Sequence, residues 1–431
     1  MIVSFLFYIK IKLFNYNKII MKENIRKEIF PFFKNNPNIT YLDSSLTTIK
    51  PKVVINEISN FYQNFLPTIE RSNNLLTEKS KELFLISLLK IAHFINSRTI
   101  NEIIPVAGTT NGLNLLALAL TDDLKAGDEL ILGEFEHASN YIPWLVIAKK
   151  KKLKIRHYKI KENFEFDYDH LKTLLNNKTK IIAISHIFNS IGILNDLKKI
   201  KKIIGDNILL VADAAQSVGH IKIDVRDLNC DFLVFGGHKM FGPNGIGIIY
   251  GKEKLLKKLN LFNYGGGMFQ YYDLNKFDYR KLPNKFYAGT PNISGIIGLA
   301  KAIDFINSIG IEKIRSHNEK LKFLLEEKLE KINDIIILNK NIKSSILLFK
   351  KKNIHSEDIN YELQQNNIFV RSGFYCVNYD NKLLNTKEQS IRVSFHYYNN
   401  ENDLKKLVDV IKNGGDFLNG LFNSNKNKKC A

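Results

Sequence analysis

A lysine and a carboxylate, each at the end of an apolar run, are the residues of this chain best suited to do chemistry. Lys239 closes Phe235-Gly236-Gly237-His238-Lys239, after the run Phe232-Leu233-Val234-Phe235 and before Gly242-Pro243-Asn244-Gly245-Ile246-Gly247. Upstream, Ile208 to Ala212 delivers Asp213 at its C-terminal end. An amine near one strand end and a carboxylate from another are what pyridoxal 5'-phosphate (PLP) requires. The amine forms a Schiff base, and the carboxylate keeps the pyridine nitrogen protonated so that the ring can drain electrons. A surface lysine after a buried strand is the plain alternative, and this segment alone does not choose between them.

Those runs belong to an alternation of strands and helices that begins near residue 100. Ile103-Ile104-Pro105-Val106 leads to Gly108-Thr109-Thr110-Asn111-Gly112 and an apolar helix. Glu129-Leu130-Ile131-Leu132 leads to Glu136-His137, Lys180 to Ser185 leads to His186 and Asn189, and Ile246 to Tyr250 is a further strand. Such a pattern predicts a mainly parallel sheet covered on both faces. Ligands of these sheets collect at the carboxyl ends of the strands, so the polar residues there are the ones to read. Thr109 and Thr110 offer hydroxyls and free N–H groups at a helix start, a phosphate cradle or a plain N-cap. His137 could lie flat on a planar ring, although a lone histidine is more often structural. Asn189 and Gln216 could donate to a phenolate oxygen on that ring, and His238 could reach the phosphate. Singly these are turn and cap residues; together they describe a PLP pocket.

Further along, residues 263–284 read as a long Gly/Tyr/Asn-rich loop. A helical region from Gly298 to Lys331 then leads into a smaller α+β portion. Its strands are expected near Ile335–Leu338, Ser345–Phe349, Ile368–Arg371 and Ser390–Phe395, and a closing helix, Glu401–Lys412, carries Leu404, Leu407, Val408 and Ile411 at helical spacing.

At 431 residues the chain exceeds one ordinary domain. Apolar and charged contents of 45% and 25% fit a soluble globular protein. The charge of +20, from 63 Lys+Arg against 43 Asp+Glu, is spread through an Ile/Asn/Lys-rich sequence. Clusters such as Lys149 to Lys152 lack aromatic interleaving, so no specific nucleic-acid binding is expected. Three cysteines without regular spacing exclude a disulfide framework and a thiolate metal site, and a reducing, cytoplasmic setting is expected. Cys230 reads as core and Cys430 as part of a disordered polar tail, 416–431. Residues 1–20 are apolar but carry Lys10, Lys12 and Lys18, too interrupted to span a membrane and without a signal-peptide cleavage site. Met21 reads as the better start, the first 20 residues as a dispensable leader, and a membrane anchor as the weaker alternative.

The ordered set of motifs resembles the cysteine desulfurases, fold-type I PLP enzymes of the class V aminotransferase family, and within them the SufS-type (group II) branch. The matching stretches are Gly108-Thr109-Thr110, Glu136-His137 to Trp144, His186 to Gly192, Ala212-Asp213-Ala214-Ala215-Gln216-Ser217, Gly237-His238-Lys239 and Gly242 to Gly247. Gly265-Gly266-Gly267, Ala288-Gly289-Thr290-Pro291-Asn292 and Arg371-Ser372-Gly373-Phe374-Tyr375-Cys376 complete them, colinear over roughly residues 25 to 412. The resemblance implies an α/β fold with a seven-stranded, mainly parallel sheet between helices in a large domain, 41–292. A small α+β domain would follow, 293–415, with segment 21–40 packing on it.

By the same resemblance Lys239 would carry the Schiff base, Asp213 would pair the pyridinium, Gln216 would bond the ring oxygen and His137 would stack on the ring. Thr109, Thr110 and His238 would hold the phosphate, and Thr290 would serve the partner subunit's phosphate site in a homodimer. Asn189, Arg371 and Arg392 would bind the substrate, a guanidinium being suited to a bidentate grip on a carboxylate. Cys376 would attack the sulfur of L-cysteine and keep it as a persulfide, releasing alanine, helped by nearby cationic groups. A short loop around Cys376 would limit its reach and imply a dedicated sulfur acceptor of SufE, SufU or scaffold type, feeding iron–sulfur cluster assembly or tRNA thiolation. The alternatives are a selenocysteine lyase or other PLP lyase or aminotransferase, and a weakly active PLP-binding interaction protein. This chain departs from the family pattern at Gly236 (usually Ser), Arg71-Ser72-Asn73-Asn74 (a lost His), Leu46 in Asp43-Ser44-Ser45-Leu46 (bulk at the substrate entrance), Phe374-Tyr375 (usually His-His) and Tyr287 (a Glu).

Overall fold

The computed structural model describes residues 22–69, 74–261, 263–377 and 390–413. The expected leader and polar tail, with Cys430, lie outside them. A short strand, β1 (Thr40–Tyr41), precedes seven that form one sheet: β2 (Ile103–Val106), β3 (Glu129–Gly133), β4 (Lys154–Tyr158), β5 (Thr179–Ser185), β6 (Leu209–Asp213), β7 (Phe232–Gly236) and β8 (Gly247–Gly251). Their order is β2-β8-β7-β6-β5-β3-β4. Only β8 runs against its neighbours, β2 and β7; the other pairs are parallel. Strands β3, β7 and β8 are buried along their whole length, as continuous Val/Ile/Leu/Phe runs must be when helices cover both faces. The helix after β2, Thr109–Leu120, sits so close to the sheet that a Cβ on Gly112 would lie 2.6 Å from Val234 Cγ1. Glycine there lets the helix start approach the strand that carries Lys239.

The stretch expected to be a loop, 263–284, contains a hairpin, β9 (Phe269–Tyr272) and β10 (Phe277–Tyr279). Asp273 makes its turn, Oδ1 accepting from the N–H groups of Asn275 at 2.8 Å and Lys276 at 2.9 Å. Facing aromatics, Phe269 on Tyr279 at 5.5 Å among them, hold the strands together. Glycine and asparagine content hid the alternating aromatics.

Beyond it lie β11 (Ile335–Ile337), β12 (Ile346–Lys351), β13 (Ile368–Phe369), β14 (Arg371–Gly373) and β15 (Ser390–Ser394). The second sheet has the order β11-β12-β15-β14. The expected strand Ile368–Arg371 is two strands: β13 pairs in parallel with β1, and β14 pairs antiparallel with β15. The expected helical region, likewise, is two helices, Ile293–Ile309 and Ile311–Leu329, broken at Gly310 with φ +94°.

Two hydrophobic cores result. One holds the seven-stranded sheet with Phe30, Phe33 and the helix Ile293–Ile309. The other joins Leu321, Leu325 and Leu329 to the second sheet and to Leu404, Leu407, Val408 and Ile411. The first core also takes in Ile314, Ile346 and Leu348, beyond the break at Gly310. The first helix, Glu23–Ile29, touches both: Ile25 and Ile29 pack on the first core, and Arg26 donates at 2.9 Å to Asp403 Oδ1 on the helix that carries Leu404. Among the described residues no single helix is long and apolar enough to cross a membrane.

Candidate active site

The carboxyl ends of the parallel strands open on one cavity of about 760 Å³. Thr109 and Thr110 reach it from the end of β2, His137 from β3, Asn189 from β5, Asp213 and Gln216 from β6, and His238 and Lys239 from β7. The small sheet supplies the opposite wall: Arg371 from β14, Cys376 just beyond it, and Arg392 from β15. Every predicted site residue except Thr290 lines this cavity. Thr290 is exposed and lines an adjoining cavity of about 380 Å³, which shares Ala107, Asn111, Gly245 and Ile246 with the first.

Burial pushes the Lys239 amine down to about 8; Asp213 opposes this and Arg392 adds to it. Asp213 is buried, which raises its pKa, while the Ala215 N–H bonded to Oδ1 at 2.9 Å and the Lys239 amine hold the carboxylate form. A nucleophilic amine and a desolvated carboxylate at neighbouring strand ends are the pair that PLP needs. His137 caps the helix Ala138–Lys151, its Nδ1 accepting from the Ser139 N–H at 3.1 Å. Burial, then Lys239, Arg392 and Arg371, lower it to about 4. It is therefore a neutral ring at pH 7, able to lie against another ring and to take up a proton.

At the far end Thr109 Oγ1 is buried without a hydrogen-bond partner. A buried hydroxyl left open at a helix N-terminus is what an anion would satisfy. A Cβ on Gly236 would stand 3.1 Å from that hydroxyl, so the glycine in place of the family's serine leaves Thr109 unobstructed. His238 is lowered to about 4, by burial and then by Lys239 and Lys50, and would meet a phosphate as a neutral donor. The orphaned hydroxyl, the amine and the carboxylate together fit PLP.

Two amides expected to face the cofactor are partly committed to protein. Gln216 Nε2 donates to the Ser45 carbonyl at 2.9 Å. Asn189 Nδ2 donates to the Tyr375 carbonyl at 2.8 Å, and its Oδ1 is buried without a partner. Each amide nitrogen keeps a second hydrogen. Arg392 is buried, Nη1 donating to the Asn189 carbonyl at 2.9 Å and Nη2 to Asp43 Oδ1 at 2.8 Å. Arg371 Nη2 lies 3.9 Å from Cys376 Sγ, so a cation faces the exposed thiol. Leu46 lines the cavity mouth, as its bulk suggested. Of Arg71-Ser72-Asn73-Asn74 only Asn74 is described, capping a helix by accepting from the Thr77 N–H at 2.9 Å.

Sequence reasoning missed four supports. Asp43 stands out in the sequence only as part of a motif, yet it holds Arg392. Glu136, directly before His137, is buried and accepts from Asn140 Nδ2 at 2.6 Å, Tyr158 Oη at 2.5 Å and Ser185 Oγ at 2.6 Å. Its place after an apolar strand was the available signal. The His238 carbonyl, one peptide before Lys239, accepts from the Thr48 N–H at 2.9 Å, Thr47 Oγ1 at 3.1 Å, Thr48 Oγ1 at 3.0 Å and Lys50 Nζ at 2.9 Å. Tyr375, finally, is buried beside Arg392.

The model of the family described as aminotransferase class-V matches residues 40–407. A probable cysteine desulfurase of Ureaplasma parvum serovar 3 is 38% identical over 405 residues, 93% of this chain and 100% of its own. A cysteine desulfurase of Wigglesworthia glossinidia brevipalpis is 35% identical, over 89% of this chain and 94% of its own. Among solved structures, the cysteine desulfurase of Thermococcus onnurineus NA1 superposes with a TM-score of 0.85 at 29% identity, over 92% of this chain and 98% of its own. Cysteine desulfurase CsdA of Escherichia coli does so at 0.82 and 28%, with the same shares. The chain belongs to the class-V aminotransferase family, in the company of relatives named cysteine desulfurase.

Proposed function

We propose that the protein is a cysteine desulfurase that converts L-cysteine to L-alanine and keeps the sulfur as a persulfide on Cys376. One observation carries the reading: Cys376, with Arg371 Nη2 3.9 Å from its sulfur, lines the same cavity as Lys239 and Asp213. The cofactor is PLP, which when bound supplies the electron sink for deprotonation at the substrate's α-carbon.

Lys239 would hold the cofactor, Asp213 its ring nitrogen, Gln216 its ring oxygen and His137 its ring face. Thr109, Thr110 and His238 would hold the phosphate. Arg392 and Asn189 orient the substrate carboxylate, and Lys239, with an amine near 8, moves the proton at the α-carbon. Arg371 places a cation 3.9 Å from the sulfur of Cys376, the nucleophile. The sulfur–sulfur bond forms as the substrate's carbon–sulfur bond breaks. The electron pair leaves with carbon, and a proton delivered there completes alanine.

Homodimerisation is supported by the position of Thr290 outside the central cavity. An exposed apolar strip, Leu118, Ile142 and Val146, beside Thr110 and Ser139 supports it too. A sulfur-accepting protein and a cytoplasmic setting fit an exposed, unpaired Cys376. A large and a small domain fit the two sheets and the two cores.

Mass spectrometry after incubation with L-cysteine tests the reading: one sulfur is expected on Cys376 of the parent. Cys376→Ser is expected to release no alanine, and undiminished release from that variant would exclude the persulfide route.

A further inference from the structure

We propose that Tyr375 is a positioning residue that ties the Cys376 nucleophile to the Arg392 guanidinium, so that one side chain sets both carboxylate binding and thiol presentation. The inference rests on the roles given above to Cys376 and Arg392. Tyr375 is only 3% exposed although Cys376, next to it, faces solvent. Its hydroxyl donates to the Ser390 carbonyl and lies 2.9 Å from Ser390 Oγ, at the start of the strand that carries Arg392. Its ring faces the Arg392 guanidinium, 5.1 Å from the centroid, within reach of a cation–π attraction. Its carbonyl accepts from Asn189 Nδ2, while the Asn189 carbonyl accepts from Arg392 Nη1. Arg392, Asn189 and Tyr375 thus close a ring of contacts.

The backbone shows what that ring must hold. Tyr375 and Cys376 have φ of +53° and +58°, the left-handed region, which costs a residue with a Cβ roughly 1–2 kcal/mol. Two such residues in a row persist only where the surroundings hold them. Tyr375 is the buried member of the pair, and its hydroxyl, ring and carbonyl are all engaged. The Cys376 carbonyl is held on the other side by the Ala138 N–H at 2.7 Å, at the start of the helix that His137 caps. The thiol is therefore presented from a fixed backbone. Phenylalanine would keep the ring over Arg392 but lose the bond to Ser390, and histidine, usual here in the family, is too short to place a hydroxyl there.

The two functions of Tyr375 can be separated in the cofactor-loaded protein by L-cysteine kinetics and by iodoacetamide alkylation of Cys376. Tyr375→Phe is expected to leave KM within about twofold and to lower kcat about tenfold. Alkylation of Cys376 should quicken about fivefold as the thiol is released from its fixed position. Tyr375→Leu, which also removes the ring, is expected to add about a tenfold rise in KM. Unchanged alkylation and kcat in Tyr375→Phe would overturn the proposal, and so would a rise in KM alone. Alkylation needs no turnover, so it reports on Tyr375 even if the parent forms no persulfide, the outcome that would sink the desulfurase reading instead.

Discussion

Arg392 Nη2 donates to Asp43 Oδ1 across 2.8 Å, with both side chains buried. The guanidinium assigned to a substrate carboxylate thus already holds one from the chain itself. It has donors to spare: Nε is buried without a partner, and each Nη bonded to protein keeps a further hydrogen. A substrate carboxylate therefore adds to Asp43 rather than displacing it, and the Asp43 charge weakens its binding. Asp43→Asn is expected to lower the KM for L-cysteine while reducing stability by about 3 kcal/mol, because it leaves a buried cation unpaired. Arg392→Lys, which loses the planar fork, is expected to raise KM about tenfold or more. Steady-state kinetics and denaturant melts of the two variants check both signs.

The crowded carbonyl of His238 leads to a prediction about cofactor retention. Lys50, lowered to about 7 by burial, and Thr48 together pin the peptide one residue before Lys239. Lys50→Met is expected to weaken cofactor binding by roughly 1.5–3 kcal/mol, the worth of a hydrogen bond to a charged group. Dialysis followed by the residual visible absorbance of the bound cofactor measures the loss. Equal retention in parent and variant would show that Thr47 and Thr48 suffice.

Glu136 is the support behind His137. Burial raises its carboxyl to about 7 against the hydrogen bonds from Ser185, Tyr158 and Asn140. Glu136→Ala would leave several buried donors without an acceptor and is expected to cost about 3 kcal/mol or more. The expected signature is a lowered melting temperature together with a changed circular-dichroism band of the bound cofactor, since the next residue, His137, is the one assigned to its ring.

The pH dependence of stability has two opposing parts. His137, His186, His220 and His238 are each lowered from 6.5 to about 4, mainly by burial. The unfolded chain therefore binds more protons than the folded one between pH 4 and 6.5, and stability rises with pH across that window. Glu136, raised from 4.5 to about 7, acts the other way: its neutral form is favoured in the fold, and stability falls as pH rises from 4.5 through 7. A tenfold change in proton affinity is worth about 1.4 kcal/mol before solvent screening. Four histidines outweigh one carboxyl, so stability is expected to fall on acidification from pH 7 to 5. Glu136→Gln should steepen that fall, and urea melts at the two pH values test it.

The residues assigned to the cofactor were legible because each follows an apolar run, and a parallel sheet brings its strand ends to one edge. Thr109, His137, Asp213 and Lys239 needed only local pattern and that rule. The hairpin at 269–279 and the break at Gly310 were not legible, because glycine and asparagine masked the aromatic alternation and the helical spacing runs on past Gly310. Thr290 was placed by motif alone, and the fold puts it in the neighbouring cavity. Sequence by itself thus determined the chemistry of the cavity, since strand-end residue types depend on periods of two and three to four. Only the tertiary structure decided what holds that chemistry in place: Asp43 on Arg392, separated by 349 positions, Thr48 on His238, and Tyr375 between Arg392 and Cys376. Such contacts are made by packing between elements distant in the chain, and they leave no periodic trace in either segment.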